Sequence, residues 1–428
     1  MSRPNESKRE HFRRLAVLIA VNAVDMVGFA IVLPLLPFYA LKFEATPVAI
    51  GWLMASFSIA QLLSAPFWGR VSDRYGRRPA LIIGLTASAI AYIVFGLADN
   101  LWMLFLSRLV QGAGGGTTGV AQAYVADTMR PADRARALGW LSAATSAGIA
   151  IGPTVGSFAI RFGHGAPGFT AAALCLLNVY FAWRWLPESH AEPARGAALE
   201  KKPIWHTAWE IASHPRAAVS RLVWIYAVGM LAFTCMTAVV ALYLNAQFQI
   251  TEETIGYFFT YIGVLSFIMR SLVLGPVVDR IGEAWAMRAG AGALILGLIA
   301  YATVPTIWLM VAVIPLVPIG TALLFPSTTS LMSRVADRAA LGTTMGTAQF
   351  YAGISRVVAP LGATFAFQHA GIRSPFYLAA GIVGLVSLLA FRIEAPPASV
   401  TPIPYSPGPA SPPVPVIERV ESEAAGES

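Results

Sequence analysis

Charge is what this sequence has least of. Asp, Glu, Lys and Arg make up 12% of its 428 residues, where a soluble domain carries about 25%. Too little polar sequence exists to clothe a soluble surface of this length. Cysteine is scarce as well: Cys175 and Cys235 both lie inside apolar runs, which argues against a disulfide framework and for buried free thiols. No phosphate-binding P-loop is present, so ATP is excluded as an energy source. No G-x-S-x-G elbow or H-E-x-x-H metal motif occurs either, so neither an enzyme nor a cofactor is expected. The first apolar run is too long for a signal core and no small-residue cleavage pattern follows it, so no cleaved leader is expected.

What is present is apolar sequence in long blocks. Hydrophobic residues make up 56% of the chain, and runs such as Leu15 to Leu41, Leu81 to Leu97 and Phe376 to Phe391 are almost free of charge. Runs of about 18 or more such residues span membranes, and only helices satisfy their own backbone there one segment at a time. The expected fold is an all-α membrane protein with twelve spans near 15–41, 48–69, 79–97, 101–126, 137–160, 168–186, 219–245, 254–275, 284–303, 307–332, 340–367 and 374–392. Basic residues crowd the N-terminal segment, the loops after even-numbered spans and the C-terminal side, whereas the alternate loops carry only Lys42, Arg161 and Arg373. Cytoplasmic loops are enriched in Lys and Arg, so both termini are expected in the cytoplasm. The net charge of +8 is thereby explained without a nucleic-acid partner.

The domain plan that follows is a tail over 1–14, a six-helix bundle over 15–186, a polar linker over 187–218, a second six-helix bundle over 219–392 and a Pro-rich tail over 393–428. The last cannot build a packed core and reads as disordered. A docking role for it, in a non-transporting sensor, is the reading furthest from the others. Internal repeats support the two bundles. Gly69-Arg-Val-Ser-Asp-Arg-Tyr-Gly76 is echoed by Gly275-Pro-Val-Val-Asp-Arg-Ile-Gly282, about 206 residues on. Ala132-Asp-Arg-Ala-Arg-Ala-Leu-Gly139 is echoed by Ala336-Asp-Arg-Ala-Ala-Leu-Gly342, and Pro153 by Pro360. Echoes in one order at nearly one offset mark a duplicated six-helix unit.

Four motifs resemble those of the major facilitator superfamily. The first is Gly69-Arg70-Val71-Ser72-Asp73-Arg74-Tyr75-Gly76-Arg77-Arg78-Pro79, similar to the family's signature loop. Its glycines permit a tight turn and close helix approach, Asp73 is suited to a helix N-terminus, and Arg77 can pair with Asp127 at the end of span four. The resemblance implies a latch, formed by Gly69, Asp73, Arg74, Gly76, Arg77, Arg78 and Asp127, that holds the halves in an outward-facing state. The second motif, Arg108-Leu-Val-Gln111-Gly112, resembles an R-x-x-Q-G pattern associated with proton coupling. Arg108 either faces a cavity or partner or snorkels to the interface. The third, Gly148-Ile-Ala-Ile-Gly152-Pro153-Thr-Val-Gly156, resembles the G-x-x-x-G-P-x-x-G pattern of antiporters, with Ser157 where another glycine often follows.

The fourth motif is Asn22-Ala-Val-Asp25-Met-Val-Gly28 followed by Pro34-Leu-Leu-Pro37. It resembles span one of drug/proton antiporters with twelve spans, including bacterial tetracycline exporters. Asp25 is the one acid well inside a span. It is either a proton carrier or a structural carboxylate paired with a buried Arg, and one group can serve as both. Arg270 and Arg356 are the remaining intramembrane charges. They either receive an anionic substrate group or pair with Asp25, and Arg270 could instead snorkel. With Asn22 they are the substrate-binding candidates. The function implied is a proton-coupled antiporter of the bacterial inner membrane, working as a monomer, that exports small amphipathic molecules or drugs and so confers antibiotic resistance. The alternative is a carrier of an organic anion or metabolite that uses Arg270 and Arg356.

Overall fold

A computed structural model describes residues 4–115, 117–129, 131–189, 204–215, 217–336 and 341–390. The middle of the expected linker and the Pro-rich tail lie outside these residues. Among those described there is helix and no strand. The first half contains α1 (Pro4–Val32), α2 (Leu36–Lys42), α3 (Pro47–Tyr75), α4 (Arg77–Gly96), α5 (Leu101–Gly114), α6 (Thr117–Thr128), α7 (Pro131–Ala159) and α8 (Ala166–Trp185). After α9 (Ile204–Ser213) the second half contains α10 (Ala218–Phe248), α11 (Ile255–Ile268), α12 (Leu274–Ile281), α13 (Glu283–Thr303), α14 (Ile307–Val313), α15 (Leu316–Val335), α16 (Leu341–His369) and α17 (Ser374–Ala390).

Ten helical stretches among the described residues are long and apolar enough to cross a membrane. Three of them are composite. Residues 33–35 interrupt the first, between α1 and α2, where Pro34 and Pro37 each lack a backbone donor. The seventh, Ile255–Ile281, joins α11 to α12 through a π-helical turn, Met269–Val273, and the ninth, Ile307–Val335, joins α14 to α15. Two expected spans fall short of that length. The fourth is described as two helices, α5 ending at Gly114 and α6 starting at Thr117, and the twelfth is α17, of 17 residues. The polar segment before residue 15 is continuous with α1 back to Pro4.

Capping fixes where several helices start. Thr46 Oγ1 accepts from Ala49 N at 3.3 Å, Asn100 Oδ1 from Met103 N at 3.0 Å and Thr306 Oγ1 from Leu309 N at 3.4 Å. Each hydroxyl or amide oxygen satisfies a backbone donor that the first helical turn leaves free. The two halves pack by one scheme. In the first, α1 packs on α7 and α8, and α4 packs on α5 and α8; in the second, α10 packs on α16 and α17, and α13 on α15 and α17. The duplicated motifs thus correspond to duplicated packing. Across the halves, α7 meets α11 and α3 meets α16.

Candidate functional site

The polar residues of the first half are held inside the bundle. Asp25, on α1, is buried, and its Oδ2 accepts from Thr117 Oγ1 of α6 at 3.1 Å. One turn later Gly28 faces Tyr92 of α4 and Cys175 of α8, whose nearest atoms would lie at ordinary contact distances of 3.5 and 3.7 Å from a Cβ there. Gln111 of α5 donates its Nε2 to the Tyr92 hydroxyl at 2.5 Å. Arg108, one turn before Gln111, is 2% exposed; its guanidinium lies 5.5 Å from the centre of the Phe95 ring, and its Nε reaches Ser107 Oγ at 3.4 Å. Arg108 Nη2 and Gln111 Oε1 are buried without a hydrogen-bond partner. Neither Asp25 nor Arg108 forms an ion pair with any described residue.

The motif residues Asp25, Arg108 and Gln111 therefore share one buried polar cluster, joined by Tyr92 and Thr117. The structure places it among α1, α4, α5, α6 and α8, within the first bundle and not at the junction of the halves. Arg108 is no snorkelling residue. Asn22 donates its Nδ2 to Leu141 O at 3.2 Å and to Thr145 Oγ1 at 2.7 Å, so its amide protons tie α1 to α7 in this state.

At the junction of α3 and α4 the chain turns on Gly76, whose φ of +102° disfavours any residue with a Cβ. The turn carries Arg77 inward, where Nε meets Asp127 Oδ2 at 2.8 Å and Nη1 meets Ser72 Oγ at 2.6 Å and also Asp73. Asp73 lies beside the Arg77 side chain, and the carboxylate at the N-terminus of α4 is Glu188. Its oxygens accept from Arg77 N at 2.8 Å and Arg78 N at 3.1 Å, where free backbone donors and the helix dipole favour an anion. Arg78 donates to Trp183 O. Arg74 lies exposed beside the Tyr75 ring. Gly69 makes no close approach, since nothing lies within 4 Å of its Cβ position. The partners named here, Ser72, Asp127, Trp183 and Glu188, lie in the first half or directly after α8. The second half repeats the device with charges exchanged: after Gly282, at φ +78°, Glu283 pairs with Arg334 at 2.9 Å and accepts from Ser330 at 2.6 Å.

The small residues of α7 serve two partners. Gly148, Gly152 and Gly156 lie one turn apart and press on α1, where added Cβ atoms would lie 2.6 Å from Ala23 O, 2.6 Å from Ala30 Cβ and 2.5 Å from Ile31 O. The adjacent face, with Pro153, meets α11 of the other half. Pro153 O would lie 2.2 Å from a Cβ on Gly256, and Thr154 Oγ1 is 2.6 Å from Thr260 Oγ1. Ser157 Oγ accepts from Gly256 N and donates to Glu252 O, both at 2.9 Å. It caps α11 from across the interface, since Thr254 offers no side-chain cap. Lys42 Nζ adds an ion pair to Glu252 at 2.7 Å and a contact with His164 Nδ1 at 2.8 Å.

These cross-half contacts cluster at the end of the bundle opposite the Gly76 turn. Two helical turns from Ala150, which faces Gly263, lies an open cavity of about 620 Å³, lined by second-half residues that include Arg270, Tyr226, Phe325, Thr329 and Met345, with Ser142 of α7 contributed by the first half. Arg270 sits in the π-helical turn and is exposed to this space. Arg356 shares a face of α16 with Gly353 and Pro360, which meet α3 at Leu62 and Gly51. Neither arginine reaches Asp25. The sequence did not disclose Tyr92, Thr117, Glu188 or the Lys42–Glu252 pair. Only Lys42 gave a signal, as one of the three Lys or Arg residues in the alternate loops.

The Major Facilitator Superfamily model matches residues 18–360 and 222–419. The chain is 29% identical over 351 residues to the class C tetracycline resistance protein of Escherichia coli, covering 81% of this chain and 88% of that protein. It is 28% identical to multidrug resistance protein 2 of Bacillus subtilis (strain 168), covering 62% and 67%. Among solved structures, a bacterial homologue of the human lysosomal transporter Spinster, in an inward-facing and unoccupied conformation, superposes with a TM-score of 0.72 at 15% identity, covering 91% of this chain and 97% of that one. An all-helical duplicated fold, an inter-half cavity and a family match along most of the chain lead to one statement: this protein belongs to the Major Facilitator Superfamily, and it is a membrane transporter and not an enzyme.

Proposed function

We propose that the chain exports small amphipathic molecules, tetracycline-like or multidrug in type, from the bacterial cytoplasm in exchange for protons. It works as a monomer in the inner membrane through twelve spans, with α5–α6 and α17 completing the count and both termini cytoplasmic. The excess of Lys and Arg on the Gly76 side supports that orientation. The cavity then faces the cytoplasm and the Lys42–Glu252 end is closed. Substrate enters from the cytoplasm, the Gly76 end closes, the Lys42 end opens, and protons return the carrier.

The single observation that carries the proton coupling is Asp25, a buried carboxyl with one hydroxyl partner and no counter-ion among the described residues. Removing a charge from water costs several kcal/mol unless it is paired, so the neutral and ionised forms of this acid favour different arrangements around it. Arg108, also buried and without a carboxylate partner among the described residues, sits in the same cluster. The hydroxyl of Tyr92 and the amide of Gln111 connect the region between them. Movement of a proton on or off Asp25 changes the charge balance of α1, which packs directly on α7, the helix that also contacts the other half. Names of relatives such as the tetracycline and multidrug resistance proteins support the substrate class.

Asp25→Asn keeps the shape and removes the titrating proton. In everted membrane vesicles this variant is expected to lose accumulation of tetracycline driven by a pH gradient, while purified protein still binds that compound. Accumulation at the wild-type rate would remove Asp25 from the coupling.

A further inference from the structure

Arg270 occupies an unusual place. It lies in five residues of π-helix, Met269–Val273, between α11 and α12. Such turns insert an extra residue into the helical register, are rare in helices, and are frequent at functional sites. The turn presents the guanidinium to the inter-half cavity, where Arg270 is the one charged residue among those lining it. No described acid answers it. Glu283 has an oxygen shared by Arg334 and Ser330, and Glu252 is paired with Lys42 at the opposite end.

The rest of the wall has two chemistries. Ser142, Thr329, Ser330 and Ser333 supply hydroxyls. Tyr226 and Phe325 form an edge-to-face pair 5.5 Å apart, flanked by Met230 and Met345. Gln349 holds the Tyr226 hydroxyl at 3.2 Å, which fixes that ring. Aromatic edges and thioethers together make an adaptable surface for a flat apolar body. A cavity of about 620 Å³ is in the range that takes a drug-sized ligand.

From this we infer that Arg270 is the anion receptor of the transport site, and that the cargo is an amphipathic aromatic acid or zwitterion. Its carboxylate docks on the guanidinium and its ring system lies against Tyr226, Phe325 and the methionines. The planar fork of five donors suits a carboxylate held by two parallel hydrogen bonds. The inference rests on the transporter reading above and narrows the cargo: lipophilic cations are disfavoured by the same charge. Arg356, on the face of α16 turned to α3, extends the basic character of the junction without being required.

Three dansyl probes test it, matched in ring system and differing in charge: dansylglycine (anionic), dansylamide (neutral) and dansylcadaverine (cationic). Binding to the purified full chain is read by dansyl fluorescence at equilibrium, with no proton gradient. The wild type is expected to bind dansylglycine about 10-fold or more tighter than dansylamide, the worth of one charge-assisted hydrogen bond. Arg270→Gln should bring the two affinities together while leaving dansylamide binding unchanged, which also reports that the variant is folded. Arg270→Lys should keep part of the preference, because it keeps the charge and loses the fork. The inference is overturned if dansylcadaverine binds best, if none of the three binds the wild type, or if the carboxylate preference survives in Arg270→Gln. Because the assay needs no gradient, a failure of proton coupling at Asp25 leaves it untouched.

Discussion

At the scale of single residues, the two ends of the Gly76 turn and its repeat present a natural experiment in charge. Arg77 faces Asp127 in the first half, and Glu283 faces Arg334 in the second. The geometry therefore requires opposite charges but not a fixed order. Each pair is partly exposed, so it contributes on the order of 1 kcal/mol or less. Arg77→Glu alone places acids beside Asp73, Asp127 and Glu188 and should reduce transport severalfold. Adding Asp127→Arg should restore much of the loss, measured as the initial rate in everted vesicles. A double variant no better than Arg77→Glu would show that Arg77 acts through its donors to Ser72 or through shape, and not through the pair. The sequence disclosed this loop well because its glycines and charges are distinctive in apolar surroundings. Glu188 stayed hidden because it lies more than 100 residues from Arg77, and nothing local distinguishes it from other acids at a span end.

At the scale of helices, legibility follows the hydrocarbon. Long uncharged runs can be only helices there, so α4, α8, α10 and α13 sit within a few residues of their expected positions. Breaks are another matter. Pro34 and Pro37 mark the α1–α2 break plainly, whereas the π-helical turn at Arg270 has no proline or glycine within it to announce it. Asp25, Arg108 and Gln111 were legible as polar residues in apolar runs. Their common neighbour Tyr92 was not, because a tyrosine in a span is unremarkable until the packing is known. Ser157 shows the opposite case, a visible departure from a motif whose meaning needed the third dimension. Glycine at that position would leave Gly256 N and the start of α11 uncapped. Loss of a cap costs about 1 kcal/mol, a factor of about 5 in an equilibrium. Ser157→Gly and Ser157→Ala should therefore shift the carrier toward the state open at the Lys42 end. The measurement is labelling of a cysteine placed at Thr260 by a membrane-impermeant maleimide added outside intact cells, which should rise severalfold. Unchanged labelling would reduce Ser157 to local packing.

At the scale of the whole molecule, the duplicated sequence foretold two alike bundles, and the packing of α1 on α7 and α10 on α16 follows it. The conformational state was not legible, because one sequence must encode both ends of the cycle and the energies of the two differ little. What the structure adds is where the halves touch. If alternating access is a rocking of the bundles, the α7–α11 seam must part in every cycle, since it closes the end away from the cavity. Thr154 and Thr260 face each other there with their hydroxyls 2.6 Å apart, close enough for cysteines to form a disulfide with little backbone movement. The native thiols are poor competitors, since Cys175 is buried and Cys235 half-buried within their helices. A Thr154→Cys, Thr260→Cys variant should cross-link on mild oxidation and stop transport, and reduction should restore it to the level of the unoxidised variant. Binding of substrate from the cytoplasmic side should survive the cross-link, because Arg270 and its cavity lie about three turns away and stay open. Transport that continued through a fully formed cross-link would mean that α7 and α11 move as one body, and the path to the outside would then have to open between α3 and α16 alone.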